Sequence, residues 1–313
     1  MIATFGEALV DLIEQDDGRF AAVLGGSVCN VTVALARQQL PVTYLNPLSA
    51  DSFGARFAGQ LQAAGVQLAT PQRSTLPTAL ALVTLDANKL PSYAFHRAGV
   101  ADRDISADAA CAALPSALTL LHTGGLALVP ADLASALAVA AAAQRSGALL
   151  SVDANMRPLA VADLPTYAAG VRRMLAKAQL VKVSAEDLRY LGLDGDPVAA
   201  ARHLFDGSAS ALIALTLGEH GAVLLTRTAS VALPAPPAVT VVDTVGAGDC
   251  FLAGLVASLQ HTGALSTAAL AAPDQATLTQ ALRYAIASAT INVMREGCAP
   301  PTRGEVGQFL ARG

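Results

Sequence analysis

From Ile2 to near residue 300 the chain alternates apolar runs of strand length with longer stretches whose apolar residues recur at helical spacing. Leu118–Leu121, Leu149–Val152, Leu180–Val183, Leu212–Leu217 and Val223–Leu225 read as strands. Asn30–Gln39, Ala55–Ala64, Ala131–Ser146, Val198–Phe205 and Gln275–Val293 read as helices. Such alternation leaves few options: an α/β fold with a mainly parallel sheet, helices on both faces and ligands at the C-terminal ends of the strands. Two early segments break the rhythm. Leu9–Glu14 with Gly18–Val23, and Thr78–Leu85 with Ser92–Phe95 across a turn at Asp86–Lys89, read as hairpins that could pair into one small discontinuous sheet. Pro234–Pro237 is a stiff connector, and no linker or repeat divides residues 1–313.

Composition narrows the function classes. With 53% hydrophobic and 14% charged residues among 313, a large core is available and disorder is excluded. A net charge of −4 without a basic block argues against nucleic acid or anionic lipid as partner. Cys29, Cys111, Cys250 and Cys298 form no CxxC, which fits free thiols in a reducing cytosol and neither a disulfide frame nor a zinc site. Ile2–Phe5 begins as a strand without a basic start, and Ala134–Ala143 is too short to span a bilayer, so a soluble cytoplasmic protein is expected.

Near the C-terminal end, Val241-Val242-Asp243-Thr244-Val245-Gly246-Ala247-Gly248-Asp249 reads as strand, glycine turn and helix start. That arrangement aims unpaired backbone N–H groups and a helix dipole at one point, an anion hole. A carboxylate there, Asp249, is poorly placed unless its task is to take a proton; alone, the motif also fits a helix whose first turn carries a stabilising acid. A base beside a charge-developing phosphoryl group is what transfer to a hydroxyl requires.

This run resembles the D-T-x-G-A-G-D-x-F signature of the ribokinase-like (PfkB) sugar kinases. Gly25-Gly26-Ser27-Val28-Cys29-Asn30-Val31-Thr32-Val33-Ala34-Leu35-Ala36 resembles their G-G-x-x-x-N-x-A-x-x-L-A, and Gly6-Glu7-Ala8-Leu9-Val10-Asp11 their G-E-x-L-x-D. The resemblance implies a ribokinase-like three-layer α/β/α fold across 1–313, with a β lid from about 9–23 and 78–103. It implies Asp249 as base and Gly246, Ala247 and Gly248 as donors to the phosphoryl oxygens. For the sugar it implies Asp11, Gly25, Gly26 and Asn30, the last also able to cap a helix.

Further segments extend the resemblance. Phe95-His96-Arg97-Ala98-Gly99-Val100-Ala101-Asp102 is similar to the F-Y-R-x-x-x-A-D of fructokinase members, making Arg97 and Asp102 sugar-side candidates; His96, in place of tyrosine, reads as a lid surface residue or a substrate contact. Asp153-Ala154-Asn155-Met156-Arg157 resembles D-P-N-x-R and puts Asn155 and Arg157 near the sugar or phosphates. Lys182 to Asp187 matches the N-x-x-E region, with Lys182 and Ser184 on the nucleotide side and Asp187 or Glu186 holding Mg²⁺ through water. An ordinary alternative is that Ser184 caps a helix with acids in its first turn. Thr216, Gly218 and Gly221 resemble the T-x-G-x-x-G nucleotide loop, and Asn292 falls where relatives line the adenine pocket. Asp243 corresponds to a monovalent cation site, so K⁺ stays an open expectation, and no Walker A motif is present. The resemblance implies an ATP-dependent sugar kinase, D-fructose being the expected acceptor and a homodimer paired through the lid the expected assembly. Alternatives are a 2-keto-3-deoxygluconate kinase, a ribokinase, and a catalytically silent sugar-binding regulator on the same fold.

Overall fold

The computed structural model describes all residues except 16, 86–90, 238 and 313, and gives no side-chain description at 85 and 91. The turn expected at 86–89 lies outside the described residues. Thirteen strands are found among the described residues. They are β1 (Ile2–Phe5), β2 (Leu9–Glu14), β3 (Phe20–Gly25), β4 (Val42–Tyr44), β5 (Gln67–Leu68), β6 (Ala79–Leu85), β7 (Pro91–His96), β8 (Leu120–Gly124), β9 (Leu149–Asp153), β10 (Leu180–Ser184), β11 (Leu212–Thr216), β12 (Ala222–Leu225) and β13 (Ser230–Leu233).

The large sheet runs β13-β12-β11-β10-β9-β8-β1-β4-β5. From β5 through β11 every pairing is parallel; β12 and β13 close one edge antiparallel. Its central strands are buried on both faces, which is why they read as continuous apolar runs. Ile2, Leu120, Leu180 and Leu212 pack on one face with the helices Ser27–Arg37, Ser52–Ala63, Ala247–His261 and Gln275–Val293. Ala3, Leu121, Leu150, Val181 and Ile213 pack on the other with Leu133–Arg145 and Leu164–Leu175. The result is three layers. In register, Phe5 faces Thr123, Gly124 faces Asp153, Asp153 faces Lys182 and Ser184 faces Thr216, so the C-terminal ends of five adjacent strands share one rim.

The two early hairpins join into a second sheet, β3-β2-β6-β7, in which β2 and β6 pair in parallel. Alternation divides its residues. Leu9, Asp11, Ile13, Val83, Tyr93 and Phe95 line the cleft below it, and Leu12 and Leu82 lie half-buried on the opposite face.

One expected strand does not form. Val241–Val245 is irregular, with Val241 and Val242 more than half exposed. The N–H groups of Val242 and Asp243 both donate to the Val293 carbonyl, so this segment is strapped to a helix end instead of joining the sheet.

Candidate active site

The helix Ala247–His261 starts from Gly246, whose φ of 74° is the left-handed conformation that glycine adopts without strain. The Ala247 N–H is taken by the Thr244 carbonyl at 3.2 Å, so it is not a free donor as the sequence suggested. The N–H groups of Gly246, Gly248 and Asp249 have no protein acceptor among the described residues. An ammonium completes the hole: Lys182 Nζ lies 3.0 Å from the point that a β-carbon on Gly248 would occupy. Lys182 is buried and stays charged because the Asp153 carboxylate, 3.1 Å away, and Asp187 outweigh the pull of burial. Burial pushes Asp153 up to about 7 against the attraction of Lys182.

Asp249 is held by two donors. The Ser27 hydroxyl donates to Oδ1 at 2.7 Å and the Asn30 amide to Oδ2 at 2.9 Å. Burial raises its pKa above the usual carboxylate range, although those bonds and the charges of Lys182 and Arg157 oppose the rise. Asn30 therefore does not cap a helix: that helix begins at Ser27 with Gly26 as its cap, and Asn30 stands in its first turn with its side chain turned to Asp249. Ser27 went unremarked in the sequence, where only its place in a Gly-Gly-Ser helix start could have signalled it. Glu7 was given no role either, although it stands in the Gly6–Asp11 motif; its Oε1 accepts from the Ser27 N–H at 3.0 Å.

Asp11, Gly26, Asn30, Asn155, Arg157 and Asp249 all line one cleft. Burial pushes Asp11 up to about 6 while Arg157 pulls it down. Gly25 lies behind this wall, where a side chain would collide with Asp11 Oδ2. Asn155 has a φ of 34°, a strained left-handed value for a non-glycine residue. Among the described residues the Arg157 guanidinium bonds only the Asn155 and Met156 carbonyls and is otherwise available to the cleft. Arg97 and Asp102 do not line it. Arg97 pairs with the buried Asp102 at 2.8 Å and the half-buried Asp132 at 3.0 Å, and donates to the Leu126 carbonyl. His96 is exposed and outside the cleft.

At the other end Thr216, Gly218, Gly221, Val241, Asp243 and Val245 line the same cleft. Asn292 does not; its amide bridges the Val245 carbonyl and the Ala299 N–H, bracing the signature loop from behind. Ser184 and Asp187 form a capping box on the helix Ala185–Tyr190, and the other Asp187 oxygen accepts from Met156 N–H. Glu186 accepts from the Tyr190 hydroxyl and faces the cleft. Asp243 accepts N–H bonds from Val245 and Gly297, one on each oxygen. Among the described residues no group of three or more His, Cys, Asp and Glu side chains is placed to hold a metal ion. Hard cations that keep several waters, as Mg²⁺ does, suit such a rim better than a protein cage. No helix among the described residues is long and apolar enough to cross a membrane.

The cleft encloses about 1970 Å³, more than one small ligand fills, so it has room for two reactants end to end.

Comparison with known proteins gives the family. The model of the pfkB family carbohydrate kinases matches residues 1–303. A fructokinase of Rhizobium leguminosarum bv. trifolii is 34% identical over 287 residues, 90% of this chain and 86% of that protein. The crystal structure of a fructokinase from Xylella fastidiosa with bound ATP superposes with a TM-score of 0.84 at 28% identity, covering 99% of this chain and 98% of that one. A Vibrio cholerae O395 fructokinase holding fructose, ADP and calcium ion gives 0.81 at 25% identity, covering 99% and 98%.

Proposed function

The chain belongs to the pfkB family of carbohydrate kinases, and from that premise we propose that it transfers the γ-phosphoryl group of ATP to D-fructose, giving fructose 6-phosphate and ADP. The observation that carries the reading is the buried Asp249 carboxylate at the lip of a cluster of free backbone donors with Lys182 beneath it.

Fructose occupies the Asp11 end. Asp11 accepts hydrogen bonds from its hydroxyls, and Asn155 and Arg157 bound it from the rim. The reacting hydroxyl gives its proton to Asp249, whose raised pKa suits a base working near neutrality. Gly246 and Gly248 N–H groups and the Lys182 ammonium meet the charge that develops on the phosphoryl oxygens, in a site where water is scarce and such contacts count for most. ATP lies along Thr216, Gly218 and Gly221 with its base toward Val241 and Val245. Mg²⁺ held through water by Glu186, a cleft-facing acid with a free oxygen, would neutralise phosphate charge. Each Asp243 oxygen keeps a lone pair, which with nearby carbonyls suits a monovalent cation such as K⁺. The small sheet acts as a lid, and its outer face pairs two copies into a cytoplasmic homodimer.

A phosphorylation assay across fructose, ribose, 2-keto-3-deoxygluconate and adenosine tests the reading. Fructose is expected to give the highest kcat/KM; a strong preference for 2-keto-3-deoxygluconate would reassign the acceptor.

A further inference from the structure

Glu7 is a buried carboxylate, 2% exposed, at the wall of the cleft, and neither the transfer chemistry nor sugar binding described above uses it. Its surroundings are built. Gly125, at a φ of 54°, leaves the space: a β-carbon there would sit 2.9 Å from Glu7 Oε1. Oε1 accepts the first free N–H of the helix Ser27–Arg37, that of Ser27, and the Ser27 hydroxyl holds Asp249 at 2.7 Å. Among the described residues Oε2 has no hydrogen-bond partner, and the strongest charge acting on the carboxylate is that of Arg97.

The far side of the residue leads to the root of the small sheet. Arg97 directly follows β7 and pairs with Asp102. Asn46 donates to the Asp102 carbonyl at 2.9 Å and accepts from the Gly6 N–H at 2.8 Å. One unbroken path therefore runs from Arg97 through Asp102, Asn46 and the Gly6–Glu7 peptide to Ser27 and Asp249. We propose that Glu7 is a positioning residue for phosphoryl transfer, fixing the catalytic base through Ser27 and joining it to the root of the lid.

The proposal rests on Asp249 being the base, so its test must separate the two. Glu7→Gln keeps the volume, but its single carbonyl oxygen cannot both face Arg97 and accept from Ser27. Steady-state kinetics of Glu7→Gln, Ser27→Ala and the double variant, in wild-type and Asp249→Asn backgrounds, form the experiment, with rates expressed per site that binds an ATP analogue. Each single variant is expected to lower kcat roughly tenfold while KM for ATP moves less than about twofold, and the double variant to be no worse than the poorer single, because both act on one path. In Asp249→Asn, Glu7→Gln should change the residual rate less than about twofold. Glu7→Asp, which withdraws the charge by one methylene, is expected to lower kcat in the same way and serves if Glu7→Gln folds poorly. Losses that multiply in the double variant, or that persist undiminished in Asp249→Asn, overturn the role of Glu7 alone. Wild-type turnover in Asp249→Asn overturns the base, and this proposal with it.

Discussion

The Lys182 ammonium stands 3.0 Å from where a β-carbon on Gly248 would lie, so the cation and the glycine turn form one surface. Adding that carbon would push only the flexible end of the lysine. Gly248→Ala should therefore fold, since alanine suits a helix, yet lose on the order of 10²-fold in kcat as the ammonium leaves the phosphoryl position, the scale of losing one preorganised donor. A thermal midpoint near wild type with kcat unchanged would remove Lys182 from the site.

Arg97 tests structure against specificity. It neutralises Asp102 and Asp132 in a buried cluster away from the cleft. Arg97→Ala strands Asp102, while Asp132 keeps Arg103 at 2.7 Å, and is expected to cost about 3–5 kcal/mol of stability, as breaking a buried pair does. At temperatures where the variant stays folded, KM for fructose should change little. A large KM increase with stability intact would return Arg97 to the sugar.

Activity and stability should respond to pH in opposite directions. Below about pH 6 the rate should fall, because Asp11, pushed to about 6 by burial, and Asp249, also raised, must be ionised to work. Stability of the substrate-free protein runs the other way. Burial raises Glu7 from 4.5 to about 7 and Asp153 from 3.8 to about 7, so the native state binds protons more tightly than the unfolded chain. Their contribution is fully present below the unfolded values and is lost as pH climbs through about 7. Glu305, lowered to about 2, has reached its full effect well before that window. The thermal midpoint should thus be higher at pH 5.5 than at pH 8; a rise across that interval would contradict these burials.

The lid should depend on a partner. Its outer face carries half-buried Leu12 and Leu82 on a thin sheet, and so few strands bury too little to stand alone. Tyr93 lines the cleft on the inner face and stacks on Phe95 with ring centroids 6.0 Å apart. Light scattering should give a dimer, amide exchange in β2, β3, β6 and β7 should slow with fructose, and ATPase without sugar should be small beside the kinase rate. A monomer whose exchange ignores fructose would sink the idea.

What the sequence disclosed follows from how local each feature is. Apolar strands and helical spacing exposed the layers because burial on two faces writes itself into nearly every residue of β8 to β11. The Gly246–Asp249 turn was legible because glycine conformation and an acid at a helix start are short-range facts. Partners distant in sequence were not: Ser27 meets Asp249 across 222 residues, and nothing local to either reveals it. Lys182 was assigned to the nucleotide side by resemblance, but its pairing with Asp153 depends on the register of β9 and β10. Val241 and Val242 misled because β-branched residues mark a strand only where the backbone joins a ladder, and here the Val242 and Asp243 N–H groups are taken by the Val293 carbonyl.

The most direct measurement is single-turnover phosphorylation of fructose by Asp249→Asn, with ATP and fructose binding measured separately. Binding should stay roughly intact while the chemical step slows by about 10²–10⁴-fold, the range for losing a general base. Turnover near wild type would show that Asp249 merely caps its helix, and that the transfer mechanism drawn from this cleft is wrong.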